Sequence, residues 1–248
     1  MIERRKRMHK MSSFSKLIIF LLVLAVALAS CSPQRREYLD RVRALEGGET
    51  GSVTEEEIRT LEEDIRAMED EVEKIVSSTA RLGTMYKMLA VDFFDKGMFG
   101  PALDYLDKAL RIYPENHSLY YYAALSSARI AKIRGEETRR QQGMLAAEYY
   151  YLEALRYKPD YRDALYGLGV LYVFELGTPE RAIPHLERLV SIRESNTDAR
   201  FVLARAYAAI GEYEAAEEQY RTIMNIGAGS KAAGEAERLL GILQEDDG

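Results

Sequence analysis

Apolar residues in this chain follow three regimes in turn. Leu17 to Ala29 is an uncharged run of 13 residues, too short to cross a bilayer as a helix. Ile58, Leu61, Ile65, Met68, Val72 and Ile75 then recur at alternating spacings of three and four, with most of the charge on the other faces. That heptad stripe predicts one amphipathic helix over 54–80, opened by a capping box of Thr54 and Glu57. From residue 83 onward the pattern is a repeated helical hairpin, clearest in YKMLAVDFFDKGMFGPALDYLDKALRIYP (86–114) and LYGLGVLYVFELGTPERAIPHLERLV (165–190). A last segment, SKAAGEAERLLGILQE, sets Ala232, Ala236, Leu239 and Leu243 on one helical face and charge on the other, as a terminal capping helix does.

The small residue of each hairpin's first helix falls at Ala90, Ala124, Gly169 and Ala204, at intervals of 34, 45 and 35 residues. Around it the first copy places Tyr86, Leu89, Phe93, Gly97, Ala102, Leu106, Ala109 and Pro114. The third offers Leu168, Tyr172, Ala182 and Leu186, and the fourth Leu203, Tyr207, Gly211, Ala216 and Tyr220. Residues of these types at these points resemble the tetratricopeptide repeat family. The resemblance implies an all-α fold: a right-handed superhelical array of about four hairpins over 83–228 (83–116, 117–161, 162–196 and 197–228). The heptad helix precedes it, and a capping helix and tail at 229–248 close it. Ala90, Ala102, Ala124, Gly169, Ala182, Ala204 and Ala216 are then structural residues that let helices approach closely, with aromatic residues filling the space beside them.

Departures from the repeat are informative. The 45-residue interval is 11 residues too long, or three helical turns, which keeps both helices in phase. It puts the break at Gly135 and predicts a lengthened second hairpin that projects, with Arg134, Arg139 and Arg140 as a basic spot at its tip. Ser127 stands where the second repeat calls for an aromatic residue and Arg200 where the fourth calls for a large apolar one, and the third and fourth copies lack the final Pro. Pro184 falls early in a predicted helix and should kink it or delay its start. The heptad stripe fits docking on the first repeat, or homo-oligomer formation through residues 58–75. Docking is favoured, because barely three heptads make a marginal free coiled coil.

Charge and cysteine usage change the picture upstream of the repeats. MIERRKRMHK is strongly basic, and the apolar run after it ends in small residues, the order of an export signal over 1–30. Leu28-Ala29-Ser30-Cys31 resembles the bacterial lipobox, which implies that Cys31 becomes the first mature residue and carries lipid. Residues 31–53 then serve as a lipidated, flexible tether containing Gly47, Gly48 and Gly51. Cys31 is the one cysteine, so no disulfide can form and stability must come from a packed core. Ser32 resembles an outer-membrane address under the sorting rule of enterobacterial lipoproteins. The expected location is therefore a bacterial cell envelope, lipid-anchored at the outer membrane and facing the periplasm. Without residues 1–30 the chain holds 28 basic and 39 acidic residues, a net charge of −11, which makes nucleic acid an unsuitable partner.

Catalytic chemistry has little to work with. His9 leaves with the signal, and His117 and His185 have no carboxylate or second histidine at ligand spacing. Phosphate loops, nucleophile elbows and Cys/His pairs are missing from the sequence, so the expectation is a non-enzyme without cofactor or metal. The family resemblance instead implies a concave groove lined by the first helices. Its fifth positions hold Lys87, Tyr121, Tyr166 and Phe201, and its ninth Val91, Leu125, Val170 and Arg205, with Phe94 and Phe174 close by. Such an apolar and aromatic lining, with a cation near each end, suits an extended or helical segment of a protein partner. The alternative is a carrier or transport accessory lipoprotein that takes a lipid or small apolar ligand in the concavity. A third arrangement has the groove covered by the protein's own heptad helix or second hairpin.

Overall fold

The computed structural model describes residues 54–133 and 136–246, without the side chains of Glu57, Glu245 and Asp246. The export signal, Cys31, the tether, Arg134 and Gly135 lie outside the described residues, as does the Glu57 half of the capping box. Among the described residues there are nine α-helices, one π-helical segment and no strand. The helices are α1 (Glu55–Asp95), α2 (Phe99–Ile112), α3 (His117–Ile133), α4 (Glu137–Tyr157) and α5 (Arg162–Val170), which runs into the π segment Leu171–Leu176. After it come α6 (Pro179–Ile192), α7 (Thr197–Ala209), α8 (Tyr213–Ile226) and α9 (Lys231–Asp246).

Two compact units divide the chain at Glu71 and Val72. The described part of the first is the N-terminal portion of α1, whose Ile58, Leu61, Ile65 and Met68 are 44–65% exposed. The second unit, Val72–Gly248, holds the helical hairpins. The heptad helix and the first helix of the first hairpin are a single 41-residue helix. Val72, Ile75 and Val76 are 57–61% exposed.

The packing of the second unit follows from the small residues. In the first hairpin Ala90, Leu106 and Ala109 are buried with Leu119 and Ala123 of the next, while Tyr105 stacks on Phe93 at 5.6 Å and leans on Tyr86 at 6.0 Å. Tyr113, just past α2, donates its hydroxyl to the Ala80 carbonyl at 2.7 Å. Its ring occupies the space a Cβ at Gly83 would need. Leu106, Leu165, Leu168, Leu186, Leu189 and Leu203 are fully buried, each worth about 1.5–3 kcal/mol relative to exposure. Asn116 and Asn196 accept the backbone N–H of Leu119 and Ala199, starting α3 and α7 at equivalent points of two repeats. At the far end Ala236 and Leu243 of α9 close the core of α7 and α8.

The long second repeat has helices of 17 and 21 residues where the flanking hairpin helices α2 and α6 have 14. They meet closely, since a Cβ at Gly143 would lie 2.6 Å from that of Ala131. Of the basic tip, Arg139 pairs with Glu136 at 3.1 Å, and Arg140 with Glu137 at 2.9 Å. Pro184 neither delays nor ends its helix, which begins at Pro179 and runs through to Ile192. Its side is exposed, so its ring meets water rather than a neighbouring helix.

The 35-residue interval also finds its cause. In the first and fourth repeats seven positions separate the small residue from the glycine that ends the helix, Ala90 to Gly97 and Ala204 to Gly211; in the third, eight separate Gly169 from Gly177. The π segment absorbs that extra residue by widening the turn. Gly177 then turns the chain at φ +64°, a conformation that costs a side chain but not glycine. Gly169 itself lies against Leu186, whose Cδ2 would be 2.5 Å from an added Cβ. Gly169→Leu is expected to destabilise the array by about 1–3 kcal/mol and Gly169→Ala by less, the cost of overpacking a crossing that cannot widen. Denaturant melts of the protein check this, and an unchanged midpoint for the leucine variant would show that the crossing yields.

Candidate functional site

Three consecutive tyrosines in α3 point in three directions, because successive helix residues turn by about 100°. Tyr121 turns toward Tyr161 at 5.4 Å and Tyr151 at 6.2 Å. Tyr122 meets Phe94 edge-on at 5.2 Å, and Phe94 meets Phe99 at 5.4 Å. Phe94 and Tyr121 thus belong to a string of aromatic rings that ties the first repeat to the second and the second to the start of the third. Burial, and then the Asp163 carboxylate, push the Tyr121 phenol up to about 12. Leu125 is half-buried against the same core.

The remaining positions divide between open and occupied. Tyr166 is 36% exposed and Phe174 49% exposed, with half-buried Val170 between them on the same face one turn apart from each. The Arg205 guanidinium from α7 sits 5.1 Å from the Phe174 ring, a cation–π contact with both partners still open to solvent. Tyr166 also borders a shallow cleft of about 170 Å³ with Arg162, Asp163, Arg193, Asn196 and Asp198. Phe201, by contrast, packs on Tyr220 of α8 at 6.3 Å, and the Lys87 ammonium lies 4.2 Å over the Tyr113 ring. Tyr121, Tyr166 and Phe201 therefore share a repeat position without sharing an environment, and Tyr166 is the one whose ring stays open.

A buried polar cluster escaped the sequence reading. Glu148 of α4 is only 8% exposed, and its Oε1 accepts the Tyr172 hydroxyl at 2.8 Å and a guanidinium N–H of Arg181. Arg181 lies over the Tyr172 ring at 4.4 Å, and His185 stacks on the same ring at 6.1 Å. Burial, then the hydrogen bond to Glu148, raises the Tyr172 pKa; burial, then Arg181, lowers that of His185. Glu175 of the π segment reaches back to Lys132 at 2.6 Å and Arg140 at 3.5 Å. These groups join the second repeat to the third. The signal was available, for Met144, Ala147, Glu148, Tyr151 and Leu155 share one helical face and put a carboxylate among buried residues. Among the described residues no group of three or more His, Cys, Asp or Glu could hold a metal ion. No described helix is long and apolar enough to cross a membrane.

Burial raises several phenols at once, including Tyr120, Tyr121, Tyr161 and Tyr166. A phenol whose folded pKa exceeds its unfolded value of 10.0 holds its proton while the unfolded chain has already ionised. Its stabilising contribution is complete below about pH 10 and is lost as pH rises toward 12. The denaturant midpoint is expected to fall across that window, with tyrosinate absorbance lagging in the folded protein. Equal midpoints at pH 9.5 and 11.5 would show that the aromatic string is open to water.

Comparison with known proteins agrees with this geometry. Residues 139–196 and 173–240 each match a tetratricopeptide repeat model. A TPR repeat-containing protein of Borreliella burgdorferi is 26% identical over 198 residues, 79% of this chain and 85% of that protein. Among solved structures, MamA from residue 41 onward of Desulfovibrio magneticus superposes with a TM-score of 0.56 at 18% identity, covering 67% of this chain and 86% of that one. YrrB, a TPR protein with an unusual peptide-binding site, superposes with a TM-score of 0.50 at 25% identity, over 62% of this chain and 75% of that one. The tetratricopeptide repeat assignment is thus supported by the matching models and by a related repeat protein, and the fold is the helical repeat array of such proteins.

Proposed function

We propose that this chain is a non-catalytic scaffold, anchored by lipid on Cys31 to a bacterial envelope membrane, that holds a segment of a protein partner. The observation that carries the reading is the open patch of Tyr166, Val170, Phe174 and Arg205, presented by the first helices of two successive repeats. Tyrosine and phenylalanine offer large contact area with little rotamer entropy to lose, and an arginine already stacked on an aromatic ring can still donate to a peptide carbonyl. The adjoining cleft places Arg162, Arg193, Asn196 and two aspartates beside Tyr166. Polar groups of both signs suit a peptide backbone with mixed side chains better than an acyl chain, which favours a protein partner over a lipid cargo. The peptide-binding site named for YrrB is consistent with such a use of the fold. The lipobox and Ser32 are the support for an outer-membrane, periplasm-facing location.

Two measurements test the reading. Tyr166→Ala should weaken capture of the native partner by roughly 1–4 kcal/mol while changing stability little, whereas Tyr121→Ala should lower stability first, since its ring is held by three other tyrosines. Crosslinking capture and denaturant melts on the two variants separate them; a Tyr166→Ala protein that binds normally removes the patch as the recognition surface. For the anchor, Cys31→Ala is expected to leave an uncleaved or soluble form, because no acyl chain can then be attached. Partitioning of that variant into the detergent phase at the wild-type level would rule out the lipid anchor.

A further inference from the structure

A second surface lies outside the patch just described. Ile58, Leu61, Ile65 and Met68 form an apolar seam about 15 Å long on the first unit's part of α1, each 44–65% exposed, and Val72 and Ile75 continue its heptad order in sequence. Heptad order puts the β-branched Ile58, Ile65 and Val72 at one seam position and Leu61, Met68 and Ile75 at the other. β-Branched residues at the first position with mainly Leu-like residues at the second favour pairing of two helices. Such a seam is built to be covered, and the charges beside it say by what.

Glu62 and Glu69 flank the seam on one side, and Asp64 and Glu71 on the other. The basic residues Arg59, Arg66 and Lys74 are set back from it, Arg66 lying within 3.8 Å of Glu62. In a parallel pair of identical helices, Asp64 of one copy would face Glu69 of the other; in an antiparallel pair, acid would again face acid. These contacts repel in either order, so self-pairing is disfavoured by the same positions that select partners in paired helices. We propose that this seam docks an amphipathic helix of a different protein, one whose own apolar seam is flanked by Lys or Arg. Complementary flanks would set each of the four carboxylates against a cation while the apolar seams close over each other.

The test uses the full chain in detergent and two synthetic helical peptides that span the same heptads, with Ile and Leu at the seam positions. One peptide carries Lys at every flanking position and the other Glu. The Lys peptide is expected to bind at least about tenfold tighter, with the difference shrinking as salt is raised. Reversal of Glu62, Asp64, Glu69 and Glu71 to Lys should invert the preference, with circular dichroism showing that the helix persists. Sedimentation should find no dimer through this helix at neutral pH. Equal binding of the two peptides, failure of the reversed protein to change preference, or a neutral-pH dimer dissolved by Ile65→Asp would each overturn the proposal. In cells, a photo-crosslinker at Met68 should join to a heptad segment with basic flanks. A crosslink to another copy of this chain, or to a segment without such flanks, would sink it.

Discussion

The repeat array depends on how closely two helices can approach at the small residue of each first helix. At Gly169 even a methyl group would press to 2.5 Å from Leu186, while Ala90, Ala124 and Ala204 are at most 1% exposed. Close approach at one point opens gaps beside it, and Tyr172, Leu165, Leu168 and Leu189 fill them to near-complete burial. Neither face of a hairpin is finished within the hairpin. Ala182, Leu186 and Leu189 of the third repeat are buried in the same core as Ala199, Val202 and Leu203 of the fourth. Helix α9 covers α7 and α8 with Ala236 and Leu243 and turns its other face to water.

Two insertions show what that constraint tolerates. Eleven residues are three whole turns, so the second repeat grows without rotating its apolar face away from its neighbours. A single residue has no such escape, because it would rotate everything after it by about 100°. The π segment takes up that rotation locally, and the glycine and alanine that follow, Gly177 and Ala182, regain the spacing of Gly97 and Ala102. The same segment supplies the polar ties of the array's middle. Tyr172 bonds to Glu148 and Glu175 reaches Lys132 and Arg140, so the lengthened hairpin is held to the repeat that follows it. A buried carboxylate would be costly alone; with a phenol and a guanidinium on one oxygen it becomes a positional lock.

Most of this architecture was legible because small residues, aromatic residues and glycines recur at fixed distances. The 45-residue interval gave the long hairpin, and Ala232, Ala236, Leu239 and Leu243 gave the cap. What was not legible has physical reasons. Gly83 and repeat counting both put a boundary near residues 80–83, yet α1 runs straight through, with the Tyr113 ring filling the space beside Gly83. Pro184 reads as a breaker, but on the exposed side of a helix it removes one backbone donor and clashes with nothing on a neighbouring helix. Repeat position gave Tyr121, Tyr166 and Phe201 equal standing, although burial is decided by what stands opposite. Tyr151 and Tyr161 cover the first, Tyr220 covers the last, and no equivalent ring stands over Tyr166.

That asymmetry bears on recognition. An array that spends its aromatic residues on internal contacts in the second repeat gains a stiff middle, since the rings from Phe99 to Tyr161 touch in succession. On the proposed reading, Tyr166 and Phe174 of the third repeat are left to meet the partner segment, since none of these internal ring contacts uses them. Around them the charges are balanced rather than of one sign: Arg162 and Arg193 share the cleft with Asp163 and Asp198, and Arg205 is already engaged with Phe174. A surface of that kind selects by shape, aromatic contact and backbone hydrogen bonding. The acidic flanks of the α1 seam differ in this respect, for four carboxylates of one sign discriminate by charge. The two proposed surfaces would thus select on different physics, and a change in salt would act on one far more than on the other.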